Sequence, residues 1–134
     1  MRARPFLMFE GNAEEAMNLY VGVFPDAEIV RMDRYGADGP GPEGSVFQGE
    51  FRIGDQSVRC FDSHVNHAFT FTPALSFFVE CDTAEEVTRI GTVLAEGGSV
   101  LMPAGTYGFS ELFTWVNDRF GVSWQLNFQG AVPA

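Results

Sequence analysis

A chain of 134 residues that is 46% hydrophobic and 14% aromatic, with 14 phenylalanines, has enough apolar mass for a real core, which excludes a disordered chain. Eight basic residues against 18 acidic ones give a formal net charge of −10. That balance argues against nucleic acid, whose phosphates require cations, and against an anionic membrane surface.

Only Cys60 and Cys81 are present, too few for a disulfide framework and in keeping with a reducing cytoplasm. The opening Met1-Arg2-Ala3-Arg4-Pro5 lacks the apolar run of a signal peptide, and no run is long enough to span a bilayer. A soluble cytoplasmic protein is the expectation.

Residues 4–10 are apolar, short and bounded by Gly11-Asn12, which predicts a mostly buried strand. A helix follows over 13–24, its apolar stripe made by Ala16, Leu19, Tyr20 and Val23 and its stop by Pro25-Asp26. Residues 27–35 alternate as a half-exposed strand. The stretch 36–44 is too rich in glycine and proline for regular structure and reads as a surface loop. Strands are predicted over 45–53 and 57–62, joined by Gly54-Asp55-Gln56 as a hairpin turn. The connector 64–73 leads to a strand at 75–81, a helix at 83–96 ended by Gly97-Gly98, and strands at 99–102, 111–117 and 122–128. The tail 129–134 is expected to fray.

The chain repeats itself. Phe6-Leu7-Met8-Phe9-Glu10-Gly11-Asn12-Ala13-Glu14-Glu15-Ala16-Met17 returns without a gap as Phe77-Phe78-Val79-Glu80-Cys81-Asp82-Thr83-Ala84-Glu85-Glu86-Val87-Thr88. Asn12 with Glu15, and Thr83 with Glu86, have the capping-box spacing, so two helices start at matching places. Each half reads strand, helix, strand, strand, strand: an α+β chain of two tandem βαβββ modules, 4–63 and 74–128. Units so small are expected to share one sheet or to swap elements with a partner chain.

Two such copies resemble the vicinal oxygen chelate superfamily, which includes glyoxalase I, extradiol dioxygenases and bleomycin- and fosfomycin-resistance proteins. More closely, Phe9-Glu10-Gly11-Asn12-Ala13-Glu14-Glu15-Ala16-Met17 with Tyr20, Phe24 and Pro25 is similar to the opening of the PhnB-like family. Trp115 and Asp118-Arg119-Phe120-Gly121-Val122-Ser123-Trp124-Gln125 resemble its close. The resemblance implies one domain whose curved mixed sheet encloses a cleft between modules, and a homodimer. Members often carry the label 3-demethylubiquinone-9 3-methyltransferase. No glycine-rich strand-to-helix turn for a nucleotide-type cofactor supports that label here.

In metal enzymes of the superfamily, ligands come from the first and last strand of each module. The resemblance puts those positions at Pro5, Cys60, Ser76 and Gln125, a set without histidine or carboxylate, so neither a metal nor another cofactor is expected. A second cluster, Cys60, Asp62 and His64 at period-two spacing with His67 nearby, has a pattern common by accident.

The same resemblance turns Leu7, Phe9, Phe78 and Glu80 into the cleft, with Cys60 and Gln125 opposite, and puts Phe6, Met8, Phe77 and Val79 beneath the helices. Such a lining suits a small apolar or aromatic ligand. Glu80 is the candidate general base, although a strand-end carboxylate in water is the favoured reading. Cys60 reads as a buried inert thiol, Trp124 as core, and Trp115 as core or a platform for a planar ligand. The function expected is metal-free binding of a small molecule. The alternatives are a metal-dependent lyase or dioxygenase-type enzyme of the same superfamily and an interaction protein without a ligand.

Overall fold

The computed structural model describes residues 1–133. The elements run β1 (Phe6–Phe9), α1 (Ala13–Val23), β2 (Ala27–Arg34), β3 (Val46–Ile53), β4 (Gln56–Asp62), β5 (Ser76–Glu80), α2 (Ala84–Ala95), β6 (Ser99–Gly105), β7 (Leu112–Asn117) and β8 (Ser123–Phe128). The βαβββ order therefore occurs twice, an α+β fold. The strands form two four-stranded sheets, β1-β4-β3-β2 and β5-β8-β7-β6, rather than one shared sheet. In each, the first strand lies parallel to the last and the other neighbours are antiparallel. Each half can close its own core because its helix lies on its own sheet: α1 against β2, β3 and β4, α2 against β6, β7 and β8. The chain divides into two compact units between Ala68 and Phe69.

In the first unit, Leu7, Phe9, Met17, Tyr20, Phe51, Val58 and Cys60 are buried. Leu7 pairs with Cys60, and Cys60 with Gly49. A Cβ added to Gly49 would stand 2.7 Å from Cys60 Sγ and 2.9 Å from Met17 Cε, so the absent side chain is what lets α1 settle on the sheet. Leu7, Phe9 and Cys60 thus lie on the helix-facing side, and Phe6, Met8, Arg59 and Phe61 on the open one. This reverses the expected facing of β1.

In the second unit, Val87, Ile90, Leu94, Val116, Trp124 and Leu126 form the core. Phe77 stacks on Trp124 with ring centroids 4.9 Å apart. Phe77 and Val79 lie under α2, as expected. Phe78 and Glu80 point the other way.

The two helix starts differ as well. Thr83 forms the full capping box: its hydroxyl accepts from Glu86 N at 3.1 Å, and the Glu86 carboxylate accepts from Thr83 N at 3.2 Å. Asn12, at φ −121° and ψ 23°, makes no side-chain cap. Its place is taken by Asp62 at the end of β4, whose Oδ1 accepts from Gly11 N at 2.9 Å and Ala13 N at 3.0 Å. Gly11 has φ +109°, a conformation open to glycine, so the two three-residue strand-to-helix connections, 10–12 and 81–83, follow different backbone paths. The tail turns back rather than fraying: Gln129 Nε2 donates to Phe109 O at 2.8 Å and to Val132 O at 2.7 Å. The expectation for Ala134 lies outside the described residues.

Candidate functional site

Alternation along each strand decides which side chains reach the open faces. In the second unit these are Ser76, Phe78 and Glu80 on β5, Ser123, Gln125 and Asn127 on β8, and Phe113 and Trp115 on β7. Phe113 is buried, its ring centroid 5.0 Å from that of Phe109, 6.0 Å from Tyr107 and 6.4 Å from Phe78. The three surrounding rings remain 45 to 55% exposed. A cluster of four aromatics with its centre packed and its rim in water is a surface with unused apolar area.

The segment between β6 and β7 is held for this arrangement. Tyr107 adopts φ +51° and Gly108 φ +89°, and the Tyr107 hydroxyl donates to Pro103 O. A tyrosine in the left-handed region costs about 1–2 kcal/mol, so the fold around it must fix it there. Gln129 secures the same segment through Phe109 O. Beside the rings, Ser76 Oγ lies 2.6 Å from Ser123 Oγ, which accepts from Trp115 Nε1 at 2.8 Å. Trp115 is therefore half-buried with its donor engaged. Tyr107, Phe109 and Phe113 did not stand out in the sequence; the signal was Tyr107-Gly108-Phe109, aromatics about a glycine in a loop.

Phe78, Glu80 and Gln125 of the expected cleft come together on this face, whereas Leu7, Phe9 and Cys60 are core residues of the first unit. Glu80 ends β5 in solvent. The four positions at which the superfamily would hold a metal offer poor donors. The Pro5 carbonyl accepts from Arg59 N, and Ser76 is bound to Ser123. Gln125 is neutral. Burial, reinforced by the charge of Asp62, pushes the Cys60 thiol up to about 12. That set does not fit a divalent cation.

The second cluster does not gather either. Both Asp62 oxygens are engaged by backbone amides, Oδ2 by Val46 N at 2.9 Å. His64 is exposed and stands edge-on to Tyr35, and the His67 ring lies 3.3 Å from Ser63 Oγ. Among the described residues no three of histidine, cysteine, aspartate and glutamate converge as metal ligands. Cys81 is likewise pushed up to about 11, by burial first and by Glu86 next.

The sequence pattern of the family described as 3-demethylubiquinone-9 3-methyltransferase matches residues 2–127. The chain belongs to that family. A 3-demethylubiquinone-9 3-methyltransferase-type PhnB protein from Bacillus cereus is 51% identical over 96% of this chain and 99% of its own, with a TM-score of 0.91. The protein PA1353 from Pseudomonas aeruginosa is 29% identical over 96% of this chain and 98% of its own, with a TM-score of 0.83. A bleomycin resistance determinant encoded on the transposon Tn5 shares the fold at 14% identity and a TM-score of 0.56, covering 97% of this chain and 98% of its own. No curated protein matches the chain. At 14% identity the likeness to the resistance determinant is one of fold alone. No helix among the described residues is long and apolar enough to cross a membrane.

Proposed function

We propose that this family member is a binding protein, metal-free and cytoplasmic, that holds a small apolar or aromatic molecule on the open face of its second unit. One observation carries the reading: Phe78, Tyr107 and Phe109 surround Phe113 on a sheet face that α2 leaves uncovered, with Tyr107 held at positive φ. Methyl transfer receives no comparable support, because both strand-to-helix turns, Glu10-Gly11-Asn12 and Cys81-Asp82-Thr83, lack the glycine-rich form that seats a nucleotide. A metal-dependent reaction lacks a fitting donor set. Both cysteines are free, in keeping with a reducing compartment.

Native mass spectrometry of the purified protein tests the reading. The expected result is a co-purifying apolar or aromatic molecule that is lost from Phe78→Ser, a change at an exposed ring that leaves the core alone. Protein that carries no such molecule and shows the same ligand-binding behaviour before and after Phe78→Ser contradicts it.

A homodimer forms part of the proposal. Phe6, Leu75 and Val100 expose more than half of their surface, and each sheet has edge strands. Light scattering after size exclusion should give twice the chain mass at micromolar concentration.

A further inference from the structure

The halves treat the aromatic rings of their open faces differently. In the first, Phe6 pairs with Arg59 in the β1–β4 register, and the guanidinium carbon lies 5.3 Å from the ring centroid. The face of an aromatic ring is electron-rich and attracts cations, and here the chain supplies its own. In the second, the residue opposite Phe78 is the neutral Gln125. From residue 69 onward the sequence has seven carboxylates and two arginines. Arg89 sits in α2, and Arg119 lies in the β7–β8 turn, 4.0 Å from Glu96. Neither belongs to the open face.

The polar groups beside the rings lean the same way. Glu80 follows Phe78 by two residues on one face of β5, about 7 Å along the strand, and its carboxylate has no hydrogen bond or ion pair among the described residues. Asn127 pairs with Glu80 on one side and Phe113 on the other. It is 3% exposed, and its Oδ1 finds no hydrogen-bond partner. A buried acceptor without a donor is unfavourable, and a bound N–H would relieve it. The ring donors of this face, the Tyr107 hydroxyl and Trp115 Nε1, are already committed to Pro103 O and Ser123 Oγ. What remains is π faces, a carboxylate, a carbonyl oxygen and the Gln125 amide.

We infer that the open face of the second unit takes a small organic cation, a protonated amine on a flat apolar body, with its ring against Phe78, Tyr107 and Phe109 and its ammonium toward Glu80 and Asn127. This rests on the proposed small-molecule site and narrows it to one charge class.

Nitrogen-15 NMR titrations of the whole protein with three probes of matched shape test it: 2-phenylethylammonium, 2-phenylethanol and 3-phenylpropanoate. The ammonium should shift amides of β5, β8 and residues 106–110, with affinity about tenfold above the alcohol, and the carboxylate should not saturate. Glu80→Gln, at an exposed strand end, should weaken the ammonium about fivefold and leave the alcohol unchanged. Equal affinity for ammonium and alcohol, or an ammonium affinity indifferent to Glu80→Gln, overturns the charge class while the aromatic site stands. Binding by none of the three to folded protein overturns the site as well.

Discussion

The two βαβββ units share a pattern of elements and differ in how they finish their polar and aromatic groups. In the first, Asp62 caps the helix from another strand, and the Arg59 guanidinium lies against the exposed Phe6 ring. The second caps its helix locally through Thr83 and leaves Phe78, Tyr107 and Phe109 half in water with no arginine among them. The rings without a cation beside them are the ones the proposed ligand site uses.

Removing the caps should break the comparison most visibly. Asp62→Ala leaves three backbone amides without their carboxylate partner, two of them in buried settings, and should cost about 3–5 kcal/mol by urea unfolding. Thr83→Ala should cost about 1 kcal/mol. Equal costs would show that the two helix starts do not depend on different devices.

Glycines on the helix-facing sides give the next effect. Gly49→Ala drives a methyl into Cys60 Sγ and Met17 and should cost about 1–3 kcal/mol. Gly91→Ala meets Thr114 Cγ2 at 2.9 Å, but gains up to about 1 kcal/mol of helix propensity, so its net effect should be near zero. Thermal unfolding of the pair separates close packing in the first unit from tolerance in the second.

Alkaline pH should produce a smaller difference. A thiol ordinarily near 9.0 that is raised to about 12 for Cys60 and about 11 for Cys81 holds its proton in the folded state after the unfolded chain has lost it. The stability this contributes is complete below about pH 9 and disappears as pH rises toward the folded values. Urea midpoints from pH 8.5 to 11 should fall more gently in Cys60→Ala than in Cys81→Ala. Smallest of all, Asn12→Ala should change stability by less than about 0.5 kcal/mol, since Asn12 makes no side-chain cap, and circular dichroism melts would reveal any larger loss.

The repeat made the element order and both helix starts legible, because apolar periodicity and cap spacing are local properties. The facing of β1 was not legible. Aligning the copies at Asn12 and Thr83 carries Phe6 onto Phe77, yet Phe6 is on an open face and Phe77 lies under a helix. The spacing is the same in both copies, three residues from strand to helix, and does not report that Gly11 takes a positive φ in one of them; in a strand, opposite faces alternate residue by residue. Leu7, Phe9 and Cys60 therefore lie on the helix-facing side of the first sheet, while Phe78, Glu80 and Gln125 share the open face of the second. Tyr107, Phe109 and Phe113 escaped notice because their meeting depends on a loop conformation and on Gln129, contacts made across the sequence.

Asp62 also reaches Val46, the first residue of β3, while Tyr35 N donates to Ser45 O at 2.8 Å and Gly44 N to Tyr35 O at 3.0 Å. The glycine- and proline-rich excursion from Gly36 to Gly44 is thus clamped at its base. It is a natural grafting point: a foreign peptide spliced in there would be displayed at the surface, and doubling its length would cost only about 0.6 kcal/mol.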